Sequence, residues 1–322
     1  MLGGRHRSGG GAMIDTAFVF PGQGSQRPGM GRELARCGVE ARELIVQAEQ
    51  LTGVAIGELM TRADERTLAD PEAAQLTIFV WSSVLAAELA AAGCRPVAVA
   101  GHSLGEYAAL VAAGCLSWEA ALAIVARRGR AMADAARCQP GAMAAIAGLS
   151  DDQVTDLCAR FSVGGGIVVM ANLNAPRQVV VSGTTDEVCG VVDAAQSAGA
   201  LRVKRLPVGG AYHSPLMSEA ERELAPLLAA ADLRAPRVPF VSSLTGGVVH
   251  DIEKYRKLLG GQITRPVRWT DTVASLTRSG PRTFVEVGPG RVLTGLGRNM
   301  IRTARHLTGC EALGALAAVS QP

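Results

Sequence analysis

Short apolar runs alternate along the chain with stretches in which apolar residues recur every three or four positions. Thr16 to Phe20 reads as a strand, Pro21-Gly22-Gln23-Gly24-Ser25-Gln26 as a loop, and residues 31 to 52 as helical. A second helical stretch, 75 to 92, leads through Gly93 to the apolar run Val97 to Ala100, and beyond Ser103 another helix extends to about Ala113. Trp118 to Ala136 is also helical in period, with Leu122, Val125 and Met132 turned to the core. Apolar strands alternating with amphipathic helices predict a parallel sheet covered on both faces.

Between Gly141 and Leu206 the pattern changes. A strand at 143 to 149, a helix at 150 to 161, strands at 167 to 171 and 178 to 182, a helix at 185 to 198 and a strand at 201 to 206 give the order β-α-β-β-α-β. That is the ferredoxin-like arrangement, at a size that suits an inserted subdomain. Further on come a strand at 238 to 242, a helix at 268 to 278, a strand at 283 to 287, the turn Gly288-Pro289-Gly290 and another helix. The expected fold is α/β: a large α/β-hydrolase-like domain with a central parallel sheet (13–140 and 207–322) plus a ferredoxin-like subdomain (141–206). Residues 1 to 12, rich in glycine and without an apolar core, read as a flexible leader, with Met13 as an alternative start.

Composition narrows the class. Hydrophobic residues make up 48% of the 322 positions against 19% charged, the usage of a compact globular protein. The net charge of +3 is scattered, which excludes a nucleic-acid footprint. The seven cysteines are separated and lack any C-x-x-C spacing, so they read as reduced thiols in a cytoplasmic protein and not as a disulfide framework or metal site. The most apolar segment, Ile78 to Ala92, is interrupted by Ser82, Ser83 and Glu88, so no membrane span is expected.

Candidate chemistry centres on Gly101-His102-Ser103-Leu104-Gly105. The Gly-x-Ser-x-Gly pattern after an apolar run fits a nucleophile elbow, and it fits equally a tight strand-to-helix turn whose serine caps the helix. A nucleophilic serine needs a base, and five histidines are available. His102 adjoins Ser103 and points away from it, His6 lies in the leader, and His250 and His306 have no suggestive setting. His213 sits in Gly209-Gly210-Ala211-Tyr212-His213-Ser214-Pro215, where the inserted segment rejoins the large one; a base and a surface histidine weigh equally there. Asp271 and Glu286 are possible orienting acids, and a backbone carbonyl would serve as well. Gln23, between glycines, could help hold an oxyanion with the N–H of Leu104, or be plain turn chemistry. Of Arg127, Arg128 and Arg130 on one helix, one could turn inward to a substrate carboxylate; a solvated face is the ordinary alternative.

Several runs taken together, FVFPGQGSQ, GHSLGEYAAL, ARRGRAM, NAPRQVVVSG, GAYHSPLM, RPVRW and VEVGPGRVLTGL, resemble one family over residues 16 to 300: the malonyl-CoA:acyl-carrier-protein transacylases and the related polyketide-synthase acyltransferase domains. The resemblance implies Ser103 as nucleophile, His213 as base, and Gln23 with the Leu104 N–H as oxyanion hole. It implies Arg128 as the partner of a malonyl carboxylate and the main-chain carbonyl of Gln262 as the group that orients His213. His102, Gln75, Asn174 and Tyr212 fall on site-lining positions. The implied reaction is ping-pong transfer of a malonyl group from coenzyme A to the phosphopantetheine thiol of an acyl carrier protein, for fatty-acid or polyketide synthesis. It needs no permanently bound cofactor. An acyl hydrolase clearing carrier proteins and a transferase for an unusual extender unit are the alternatives.

Three positions depart from the family's usual pattern. Tyr212 stands where Phe or Ser is common, Gly210 where Ser is common, and Arg177 where Gly is common, the last read as an added contact to coenzyme A or the carrier. Arg202 to Arg205 with Arg298 and Arg302 read as a solvated cluster in preference to a carrier contact.

Overall fold

The computed structural model describes residues 15–319; the leader expected at 1 to 12 lies outside them. Among the described residues ten strands form two sheets. In chain order they are β1 (Thr16–Phe20), β2 (Ala98–Gly101), β3 (Ala142–Ala147), β4 (Val168–Ala175), β5 (Gln178–Gly183), β6 (Arg202–Arg205), β7 (Phe240–Ser242), β8 (Gly247–Val248), β9 (Thr283–Glu286) and β10 (Arg305–Thr308).

The larger sheet has the order β10-β9-β1-β2-β7-β8. Its first five strands are parallel, and β8 closes the edge as an antiparallel hairpin partner of β7. Every residue of β1, β2 and β7 is buried, as expected of parallel strands covered on both faces. The smaller sheet, β4-β5-β3-β6, is antiparallel throughout, with helices Asp151–Phe161 and Thr185–Ser197 linking its strands in ferredoxin-like order.

The helix Pro71–Ala91 crosses the core of the larger layer. It starts earlier than periodicity suggests, because Asp70 accepts hydrogen bonds from the N–H groups of Glu72 and Ala73 and Pro71 occupies the first turn. At 21 residues it is long and apolar enough to cross a membrane by length and composition, yet 67% of its most apolar window is buried inside the protein. Leu76, Ile78, Phe79, Val80 and Trp81 are buried on every side, the mark of a core helix. The helical stretch expected at 31 to 52 divides into a 3-10 helix, Met30–Arg36, and an α-helix, Val39–Thr52. Glu88 takes the Gly38 N–H at 2.8 Å and holds the chain extended between them.

The two sheets meet along β4. Two register shifts bend this strand between Met170 and Asn172 and between Leu173 and Ala175. Leu173 N–H then donates to the Val267 carbonyl and Val267 N–H to the Ala171 carbonyl, each at 2.8 Å, so the segment before helix Trp269–Arg278 pairs with the smaller sheet.

Candidate active site

The C-terminal ends of β1 and β2, neighbours at the centre of the larger sheet, frame the site, which is where open parallel sheets place ligands. β2 ends at Gly101 and helix Gly105–Ala112 begins four residues on. Ser103 turns the chain between them at φ 53°, a left-handed conformation that costs a non-glycine residue about 1–2 kcal/mol. The flanking glycines make the turn possible. A Cβ on Gly101 would lie 2.0 Å from the Gly105 carbonyl carbon, and one on Gly105 would lie 2.0 Å from the Phe20 carbonyl oxygen. His102 N–H donates to that Phe20 carbonyl at 2.9 Å, tying the elbow to β1 and the Pro21–Gln26 loop. The backbone N–H groups of Gln23 and Leu104 have no acceptor among the described residues. Leu104 is also the N-cap of the helix, where the peptide dipoles favour negative charge.

His213 is the second non-glycine residue of the site with positive φ, at 58°. Its Nε2 lies 2.7 Å from Ser103 Oγ. Its Nδ1 faces two backbone carbonyls, Arg265 at 2.9 Å and Gln262 at 3.1 Å. Two acceptors on Nδ1 place the proton there and leave the Nε2 lone pair toward the serine. Burial, then the nearby Arg128 charge, push His213 down from 6.5 to about 3, so the imidazole is neutral at physiological pH. No carboxylate orients it. Asp271 pairs with Arg268 at 2.7 Å, and Glu286 receives the N–H groups of Leu293 and Thr294 at the start of another helix. His306 stacks on Phe284 and His250 is exposed, so neither approaches the serine.

The three arginines of helix Trp118–Cys138 part ways. Arg127 and Arg130 pair with Glu223 and Glu72 in partly exposed ion pairs. Arg128, one turn position between them, is 1% exposed. Its guanidinium donates to Gln75 Oε1 at 2.6 Å, to Ser103 Oγ at 3.1 Å and to Gln262 Oε1 at 3.3 Å, while its Nε has no partner. Gly129 permits the approach: a Cβ there would lie 2.7 Å from Glu72 Cα.

His102 bonds Asn174 Oδ1 at 2.9 Å and packs against Trp269, so Asn174 reaches the site from β4 of the smaller sheet. Tyr212 is buried beside His213. A Cβ on Gly210 would lie 2.6 Å from the Tyr212 ring, so the two departures from the family pattern are one packing solution. Arg177 instead satisfies itself locally, donating to the Gly148 carbonyl. A cavity of about 580 Å³ opens between the two sheets, lined by Gln23, Ser103, Arg128 and His213 from one side and by Met143 and Val180 from the other. Among the described residues no cluster of His, Cys, Asp or Glu could hold a metal ion.

One buried acid escaped sequence reasoning. Glu106 is fully buried; it receives the Ser243 N–H at 2.8 Å and the side-chain amide of Gln262. A single acidic residue within the apolar helix Gly105–Ala112 was the signal available for it.

Fold and sequence together define an acyltransferase: residues 17–318 match the acyl transferase domain family, and the chain belongs to that family. Within it, the chain is 37% identical over 295 residues to the malonyl CoA-acyl carrier protein transacylase of Bacillus subtilis, covering 92% of this chain and 93% of that protein. The solved structure of the malonyl CoA-acyl carrier protein transacylase from Coxiella burnetii superimposes with a TM-score of 0.89 at 34% identity, covering 95% of this chain and 96% of that one. A malonyl-transacylase solved in complex with a type II polyketide-synthase acyl-carrier protein gives 0.88 at 34% identity, over 95% and 98% of the two chains.

Proposed function

We propose that this acyltransferase moves a malonyl group from coenzyme A to the phosphopantetheine thiol of an acyl carrier protein through an ester on Ser103. The observation that carries the acyl specificity is the buried guanidinium of Arg128, 3.1 Å from Ser103 Oγ. A buried cation beside the nucleophile is best satisfied by a carboxylate, which a planar fork binds bidentately.

Ser103 Oγ attacks the thioester carbonyl while His213 Nε2, 2.7 Å away, takes its proton. The carbonyls of Gln262 and Arg265 hold the imidazole through Nδ1 and stabilise the imidazolium as it forms. The developing oxyanion is received by the N–H groups of Gln23 and Leu104 and by the positive end of helix Gly105–Ala112. The tetrahedral species collapses, the C–S bond breaks, and His213 returns the proton to the departing coenzyme A thiol. The carrier's thiol then attacks the Ser103 ester by the same steps in reverse.

The Arg128 guanidinium donates to Ser103 Oγ. A malonyl carboxylate paired with the fork offsets this charge, which after burial is the second cause of the low His213 basicity. The acyl group that pairs with Arg128 therefore also favours proton uptake by His213. Gln75 and Gln262 fix the fork, and Tyr212, His102 and Asn174 bound the space around the acyl chain. The reaction takes place on soluble substrates, with the protein expected in the cytoplasm.

Intact-mass analysis after mixing the protein with malonyl-, acetyl- and methylmalonyl-CoA tests this reading. The wild type should gain one malonyl group and Ser103→Ala none. Arg128→Ala should lose at least about tenfold of its preference for malonyl over acetyl, the scale of one charge-assisted bond lost. A covalent malonyl group on Ser103→Ala sinks the nucleophile assignment, and an unchanged preference in Arg128→Ala sinks the carboxylate assignment.

A further inference from the structure

Arg128 is buried without an acidic side chain in ion-pair contact among the described residues; the buried Glu106 acts on it through its charge and is joined to it by the amide of Gln262. Glu106 rises from the first turn of the helix behind the elbow. One carboxylate oxygen accepts the Ser243 N–H at 2.8 Å; the other accepts the Gln262 Nε2 amide. That same Nε2 donates to the Ser103 carbonyl at 3.1 Å, and the Gln262 Oε1 on the other end accepts from Arg128 at 3.3 Å.

An amide has one donor end and one acceptor end, so its direction in such a chain is set by its neighbours. An ionised carboxylate only accepts, and a guanidinium only donates. Reversing the Gln262 amide would set oxygen against oxygen at Glu106 and N–H against N–H at Arg128. Glu106 and the Ser103 carbonyl both accept from the amide nitrogen, so the amide is held with its oxygen toward the guanidinium, and the Arg128 fork is held between Gln262 and Gln75.

We propose that Glu106 is a positioning residue for acyl selectivity: acting through the Gln262 amide, it aims and partly balances the buried Arg128, and so sets the preference for acyl groups that carry a free carboxylate. This rests on the reading of Arg128 as the carboxylate partner. An amide at position 106 would weaken the arrangement, since it accepts with one end only and must present N–H to a group that now donates to the carboxylate, such as the Ser243 N–H or the Gln262 amide.

The experiment compares acylation of Ser103 by malonyl-CoA and acetyl-CoA, each as kcat/KM from rapid-quench intact mass, in wild type, Glu106→Gln, Gln262→Leu, the double variant and Arg128→Ala. Glu106→Gln should lower the malonyl-to-acetyl ratio about tenfold, mainly through the KM for malonyl-CoA, with acetyl acylation within about threefold of wild type. Gln262→Leu should lower the ratio similarly, and the double variant should lose no more than either single one, because the two residues form one relay. Should Glu106→Gln not fold, Glu106→Asp carries the test, since it keeps a carboxylate and shortens its reach to the Gln262 amide, and the same fall in the malonyl-to-acetyl ratio is expected. A ratio unchanged in these variants, or malonyl and acetyl rates falling together, overturns the proposal. If Arg128→Ala loses its malonyl preference while Glu106→Gln and Gln262→Leu keep theirs, only this inference fails. If Arg128→Ala keeps its preference, the carboxylate reading itself fails.

Discussion

Ser103 and His213 both stand in left-handed backbone conformations, and each is held there by the close contacts around it. The Ser103 turn is set by two close glycine contacts, and the His213 turn by Ser214, whose hydroxyl donates to the Ala211 carbonyl at 2.6 Å. The burial that positions His213 also shapes acid stability. In the unfolded chain the imidazole titrates near 6.5, and in the folded protein at about 3. Between those values the unfolded chain binds the additional proton, so stability falls as pH drops from 6.5 toward 3. Calorimetric Tm measured across that window should fall less steeply for His213→Gln than for wild type. Parallel Tm curves would show that His213 does not carry this loss. At this scale local pattern reaches only so far: flanking residues leave His213 even with a surface histidine, and nothing local separates Arg128 from Arg127 or Arg130. The family runs single these residues out, and their spatial approach appears only in the fold.

The elements that place these residues are short and depend on packing. The elbow works because β1, β2 and helix Gly105–Ala112 approach until no side chain fits between them. Gly105→Ala should cost about 3 kcal/mol in urea unfolding, at the upper end for overpacking, because the clash at Phe20 is with backbone that cannot rotate away. Acylation of Ser103 should fall with it; a loss below about 0.5 kcal/mol, typical of an unconstrained site, would show that the turn has slack. Element order follows from hydrophobic period, which is a local property, and the two sheets bear out the expected class. Boundaries follow it less well. Helix Pro71–Ala91 begins at a cap and not at an apolar residue, and the break before Val39 is imposed by Glu88 from fifty positions away.

On the scale of the whole molecule, the cavity belongs to neither sheet alone. Ser103, His213 and Arg128 come from the larger layer, while Met143, Val180 and Asn174 close the other side from the smaller one. A ligand that spans the cavity should therefore stabilise the entire chain. Malonyl-CoA added to Ser103→Ala at about one hundred times its Kd should raise the unfolding free energy by about 2.7 kcal/mol, read as a concentration-dependent shift in Tm. Arg128→Ala in that background should need a higher concentration for the same shift, whereas acetyl-CoA should distinguish the two proteins little. An equal response to both ligands would place the carboxylate away from Arg128.

Sequence alone determined what local chemistry can specify: the succession of strands and helices, the change of pattern near Gly141, and a Gly-x-Ser-x-Gly turn after an apolar strand, all encoded within a few residues of one another. Its family-like runs added which distant residues belong together. Tertiary structure decided the rest, because those choices depend on groups that meet only after folding. It brought His213 to Ser103 across 110 positions, gave the imidazole two backbone carbonyls in place of a carboxylate, and turned one arginine of three inward. It also set Glu106 behind Gln262, joining residues 156 positions apart through an amide whose direction no linear pattern records.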